Sequence, residues 1–194
     1  MVQYLKIIPR GDSLKNTTKD DILHAFNNLI ETTSFDKITV QMILDEAQIG
    51  RATFYRYFKD KYDVMNYNYS KFLEEYLLAG KIQTFEDFFK IMTSTGTDFF
   101  RNKIKIFDST GANSFQNFLY EASFTTVKLI LLMRGQTSLS PTEEMQYKFL
   151  CHGIPHLYEG WIKGEYPNVT SDEASKAIYD LLPEQLKGNL WARE

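Results

Sequence analysis

Apolar residues recur along this chain every three or four positions, and no stretch sustains the strand alternation that leads into a hairpin turn. The pattern therefore predicts helices throughout. Thr18-Lys19-Asp20-Asp21 reads as a capping box with Asp in place of Glu, opening a helix to about Thr33 with Ile22, Phe26, Leu29 and Ile30 on one face. Thr39 can cap a second helix, "VQMILDEA", in which Ile43 and Ala47 lie four apart. "QIG" interrupts, and "RATFYRYF" makes a third helix; Asp60-Lys61-Tyr62-Asp63 then starts a longer one that stops at Gly80.

The remainder follows the same grammar. Thr84-Phe85-Glu86-Asp87 opens a helix that crosses or pauses at Gly96, and "DSTGAN" at 108–113 is a break. "SFQNFLYEASFTTVKLILLMR" is apolar on most sides and ends at Gly135, the mark of a buried central helix. Ser140-Pro141-Thr142-Glu143 is the clearest start signal: a Ser cap, Pro at the first helical position and an acid at the third. That helix reaches Lys163 and Gly164 with an expected kink at Pro155, and Thr170-Ser171-Asp172-Glu173 caps a last helix to about Leu182. The expected architecture is all-α: an arm over 1–17, a three-helix unit over 18–62, and a larger helical domain over 63–194 joined to it by the long fourth helix.

The third helix is the anomaly in this pattern. At about 100° per residue, Phe54 and Phe58 form a narrow apolar stripe, Ala52, Thr53 and Arg56 fall opposite, and Tyr55 and Tyr57 flank them. Two short helices joined by a tight turn, with a third bracing them, is the layout of a DNA-reading helix-turn-helix. A small Ala52 permits close approach and contact with a thymine methyl, and arginines pair with guanine edges. Thr and Tyr hydroxyls suit phosphates, and Lys61 in the first turn of the next helix could join that helix's free N–H groups at one phosphate. Net charge over the whole chain is −3, so no global basic field attracts nucleic acid, but residues 49–61 carry Arg51, Arg56, Lys59 and Lys61 against Asp60 alone. A local patch suffices, because the field decays within about 8–10 Å. Short aromatic, basic helices also occur as plain solvated elements, so the pattern by itself leaves both readings open.

Residues from about 18 to 65, "TKDDILHAFNNLIETTSFDKITVQMILDEAQIGRATFYRYFKDKYDVM", resemble the N-terminal domain of the TetR family of bacterial transcriptional regulators. Thr39-Val40 matches the family's Thr-Val start to the second helix, Ile43 an Ile within it, and Ala47 with Ile49 the Ala-Gly-Val turn. Ala52-Thr53-Phe54-Tyr55-Arg56-Tyr57-Phe58 with Lys61 matches the recognition helix, small-Thr-Phe/Leu-Tyr-x-His-Phe followed by Lys. The resemblance implies backbone contacts from Thr39, Thr53, Tyr55, Tyr57 and Lys61, and base reading by Arg51 and Arg56. This chain departs from the pattern at Gln48, where the family has Gly, at Gly50 for Ser, at Tyr57 for His, and at Leu44, where a small residue is common. A left-handed Gln48 costs about 1 kcal/mol.

The same resemblance implies a homodimer through the last two helices, a double-stranded DNA operator, and a small-molecule effector that releases a repressor. The alternative is a TetR-like activator, or a regulator answering to a protein partner. "LYEGWIKGEYPNVTSDEASKAIYDLLP" is similar to the C-terminal portion of a TetR-like subgroup common in Firmicutes. Phe99, Phe107, Phe118, Phe124, His152, His156 and Trp161 are the expected lining of an effector pocket, against the plainer alternative that aromatics at helical spacing are core.

Composition narrows the remaining classes. One cysteine, Cys151, excludes an internal disulfide and suits a reducing compartment; with no signal-peptide core at the start, the expected location is cytoplasmic. "LILLM" at 129–133 is the longest apolar run, far short of a membrane span. His152 and His156, four apart beside Cys151, raise a metal site, but Pro155 disrupts the helix between them and no carboxylate is placed by the spacing, so neither metal nor cofactor is expected. The sequence has no Gly-rich phosphate loop, GxSxG or HExxH, which points away from an enzyme. A purely structural adaptor would leave Arg51 and Arg56 without a role. Lys6, Arg10 and Lys15 in the arm read as solvated.

Overall fold

The computed structural model describes residues 17–94, 106–109, 111 and 114–190. The arm at 1–16, Phe99, the expected pause at Gly96 and part of the 108–113 break lie outside the described residues. The all-α expectation holds: eight α-helices and two short 3-10 turns account for the regular structure among the described residues, with one isolated β-bridge, Thr84 to Asn189, and no strand. We number the helices α1 Thr17–Thr32, α2 Val40–Ala47, α3 Arg51–Tyr57, α4 Lys61–Leu78, α5 Phe85–Thr93, α6 Phe115–Met133, α7 Pro141–Ile162 and α8 Ser171–Asp180.

The predicted caps are mostly where the sequence puts them. Thr84, Ser140 and Thr170 each accept from the backbone N–H three residues on, while Asp87, Glu143 and Glu173 reach back to the cap's own N–H. These reciprocal bonds hold all three carboxyl groups below their ordinary pKa values; for Asp87 burial pushes the other way, and the bonds from Thr84 and Gln83 outweigh it. Asp60 accepts from the Asp63 N–H at 2.8 Å and so closes the start of α4. At α1 the expectation fails: Thr18 is already helical, because the helix begins at Thr17. Pro155 is accommodated within α7, which runs on to Ile162.

The chain divides into two compact units. The first takes α1 to α3, α4 as far as Glu75, and the short stretch 106–115. Its core is Ile22, Phe26, Ile30, Phe35, Ile43, Phe54 and Val64, all fully buried. Aromatic edges lock it: Phe35 meets Phe26 at 6.3 Å and Tyr62 at 5.1 Å between ring centroids. Polar ties fix α1 against its neighbours, with Asn28 donating to Glu46 of α2 at 2.9 Å, Asn68 of α4 donating to Asn27 at 2.9 Å, and Lys71 of α4 paired with Asp20. Phe107 and Phe115 stack edge-on at 5.1 Å, and Phe115 meets Tyr69, whose phenol is driven above its ordinary pKa by burial.

The second unit holds the end of α4, α5, and the chain from Gln116 onward. Helix α5 packs along α8, burying Phe89 and Met92 with Ala174, Ser175 and Ile178. The Tyr158 hydroxyl donates to the Met92 carbonyl at 2.8 Å, and the Leu190 N–H donates to Gln83 O at 2.7 Å, tying the chain's last described turn to the start of α5. Against the expectation of a helix buried on most sides, α6 buries one half of its girth, with Leu119, Phe124, Val127, Ile130 and Leu131, and exposes Asn117, Glu121, Lys128 and Leu132 on the other.

Candidate nucleic-acid interface

Helix α2 starts on Thr39, whose backbone is extended and whose side chain accepts from Met42 N–H at 3.2 Å. It stops at Gln48, the one described non-glycine residue with positive φ (53°). There the Ile49 N–H reaches back to Leu44 O at 3.1 Å and the Gln48 N–H to Asp45 O at 3.3 Å, the Schellman closure of a helix. Gln48 is therefore left-handed, the case in which the departure from Gly costs about 1 kcal/mol. Extended Gly50 then caps α3 through its carbonyl alone, accepting from the Thr53 and Phe54 N–H groups at 3.0 and 3.2 Å. Turn and cap together swing the chain onto a new axis within three residues, 48–50.

Helix α3 has seven residues, too few to be stable as an isolated helix. Phe54 (0% exposed) and Phe58 (3% exposed) hold it down, their rings 5.9 Å apart, and Phe58 meets Tyr67 of α4 at 5.5 Å. With that stripe buried, Arg51, Ala52, Tyr55 and Arg56 are exposed, while Thr53 and Tyr57 are half-buried at the edges. Each arginine lies over a tyrosine ring, Arg51 over Tyr55 at 5.9 Å and Arg56 over Tyr57 at 5.5 Å. Such contacts restrict the long side chains while leaving their donors outward. The nearby carboxylates are occupied with the backbone: Asp60 accepts from Asp63 N–H, and Asp63 accepts from Lys59 N–H at 3.0 Å. The surface so formed is basic, aromatic at its edges and small at its centre, which suits a duplex groove flanked by phosphates.

Lys61 has a different setting from the one its sequence position suggests. Its ammonium donates to the Phe35 and Asp36 carbonyls at 2.8 and 3.1 Å and sits 4.6 Å from the Phe35 ring centroid. Burial lowers its pKa from the ordinary value, with Asp36 and Asp60 opposing. It straps the α1–α2 connection to the start of α4. Spacing could not show this, since the carbonyls it meets lie some 25 residues away along the chain. Lys19, which helical phase does not link to α3, has its ammonium 4.9 Å from the Tyr67 ring and 6.0 Å from Tyr57.

Of the residues expected around an effector, Phe124 and His152 share a neighbour, the Tyr120 ring. Phe107 belongs to the core of the first unit. In the second unit Phe118 is half-buried, and buried Phe124 stacks on Tyr120 at 6.2 Å. Exposed His152 stacks on Tyr120 at 3.7 Å, and half-buried Trp161 donates to Val169 O at 3.0 Å. His156 is exposed, with Nδ1 3.5 Å from Glu159. It alone of these lines an open groove of the second unit, of about 640 Å³, walled by Phe149, Ile154, Leu157, Tyr166 and Leu181. Among the described residues no group of three His, Cys, Asp or Glu could hold a metal ion, and no helix is long and apolar enough to cross a membrane. Cys151 is buried, and burial pushes its thiol up to about 12.

No curated protein matches the chain. Residues 22–67, from the first buried position of α1 into α4, match the family model described as bacterial regulatory proteins, tetR family.

Proposed function

We propose that this chain, whose residues 22–67 match the tetR-family model, is a DNA-binding regulator of transcription: a sequence-specific, dimeric repressor released by a small molecule. The observation that carries the DNA-reading part is the division of α3: Phe54 and Phe58 buried, Arg51, Ala52, Tyr55 and Arg56 exposed. Arg51 and Arg56 read base edges, and Thr39, Thr53, Tyr55 and Tyr57 position the backbone. Nothing in this chemistry calls for catalysis, and the site is that of a binding protein working in the cytoplasm.

Dimerisation rests on α7 and α8. Met145 (73% exposed) and Phe149 (76% exposed) stand on α7 one turn apart, with Leu157 further along and Leu181 just past α8, all apolar and uncovered. A single recognition helix spans only a few base pairs, and two of them about 34–36 Å apart give a usable palindrome. Release then needs an effector that binds one spacing of the two readers better than another. We assign DNA binding to residues 18–62 and effector binding and dimerisation to 63–194.

Selection from a random-sequence duplex library with the wild-type protein tests the reading. The expected product is an inverted repeat whose half-site centres lie about one helical turn, or a small multiple of it, apart. Recovery of no sequence above the starting library would overturn it.

A further inference from the structure

The exposed surface of α3 leaves one phosphate contact unassigned. Lys61, placed by its spacing to meet the DNA backbone, has its ammonium on the Phe35 and Asp36 carbonyls. To reach a phosphate it would have to leave both bonds and the Phe35 ring face. Lys19 is in the opposite position. It lies near the start of α1, and its ammonium rests on two aromatic faces, Tyr67 of α4 and Tyr57 at the end of α3. It makes no ion pair with any described carboxylate. The next residue, Asp20, is tied to Lys71 of α4, which fixes this turn of α1 and keeps the neighbouring acid engaged elsewhere. An ammonium on ring faces retains its outward N–H donors, and its charge is unneutralised. Tyr57 is itself one of the edge residues assigned to the DNA backbone, so Lys19 stands at the same edge of the recognition helix.

We propose that Lys19 supplies a DNA phosphate contact from α1, seated by the Tyr57 and Tyr67 rings, and that Lys61 acts as an internal brace. The inference rests on α3 being the DNA-reading helix. It divides two lysines by what their ammonium groups touch: ring faces for one, main-chain carbonyls for the other. A phosphate-contacting lysine displaces condensed counterions when DNA binds, whereas a brace displaces none.

The test uses the full chain and the duplex enriched from the random library by the wild type. Affinity is measured by fluorescence anisotropy between about 50 and 200 mM salt, where each phosphate contact contributes about 0.9 to the slope of log K against log salt. Lys19→Gln is expected to make the slope shallower by about that amount, with an unchanged melting midpoint. Lys19→Arg should restore the wild-type slope. Lys61→Gln should keep the wild-type slope while lowering the melting midpoint. A wild-type slope in Lys19→Gln, or a shallower one in Lys61→Gln, overturns the inference and leaves the DNA-binding reading standing. If the wild type enriches no duplex, both fall together.

Discussion

Thr39 caps α2 and, in the proposed function, also holds the DNA backbone, and substitution separates the two roles. Its Oγ1 accepts from the Met42 N–H at 3.2 Å, capping α2, while the exposed hydroxyl keeps a proton to donate outward to a phosphate. Thr39→Ala removes both, and loss of a side-chain N-cap costs about 1 kcal/mol. For a chain of this size that lowers the melting midpoint by about 2–4 °C. Thr39→Asp keeps the acceptor and so keeps the cap, with stability expected within about 0.5 kcal/mol of wild type. On DNA it behaves in the opposite way, because it sets a carboxylate against a phosphate. At about 4 Å and an effective dielectric of about 20, two like charges repel by about 4 kcal/mol. A third of that is roughly a tenfold loss of affinity. Urea melts followed by circular dichroism and anisotropy on the selected duplex give the two readouts. An Asp variant as stable as wild type but at least tenfold weaker on DNA is expected. Wild-type DNA affinity in Thr39→Asp would remove Thr39 from the interface, and an Asp variant as unstable as the Ala variant would deny the capping role.

Gln48→Gly relieves a left-handed residue at φ 53° and should raise unfolding free energy by up to about 1 kcal/mol, less what glycine adds to the unfolded chain's freedom; a destabilised variant in urea melts would show that Gln48 makes contacts worth more than its strain. Phe149→Glu places a charge on the uncovered face of α7 and should convert a sedimenting dimer to a monomer without altering the far-ultraviolet spectrum, whereas an intact dimer would move the interface elsewhere. Cys151, its thiol pushed up to about 12 by burial, should resist iodoacetamide at pH 8 until the protein is unfolded. Its folded pKa lies above the unfolded value, so the stability it contributes is complete below about pH 9 and declines as pH rises toward 12; Cys151→Ala should flatten that part of the pH curve, and an unchanged curve would contradict the burial argument.

What could be read from the sequence followed from how local each signal is. The caps at Thr39, Thr84, Ser140 and Thr170 join residues three apart, so their spacing displays them. The interruption at 48–50 was legible for the same reason, whereas the left-handed backbone of Gln48 itself comes from the fold. The buried pair Phe54 and Phe58 and the exposed arginines followed from helical phase alone. Lys61 was not legible, because what it touches is set by the tertiary approach of the Phe35 turn to α4. Lys19 was hidden likewise: the tyrosines it meets lie on α3 and α4, far along the chain. The second unit was legible as helices but not as a site. Aromatic residues at helical spacing fill cores and line cavities by the same pattern, and only the fold separates Phe107, in the core of one unit, from His156, on an open groove of the other.

The central claim is that the exposed face of α3 reads base sequence through its arginines. The direct measurement is the affinity ratio between the selected duplex and a scrambled duplex of equal length, for wild type and for Arg51→Ala with Arg56→Ala, at one fixed salt concentration. Each good arginine–guanine pair is worth about 1–3 kcal/mol of discrimination. The double variant should stay folded, still bind both duplexes through phosphate contacts, and lose most of the ratio. An unchanged ratio in a folded double variant would contradict it.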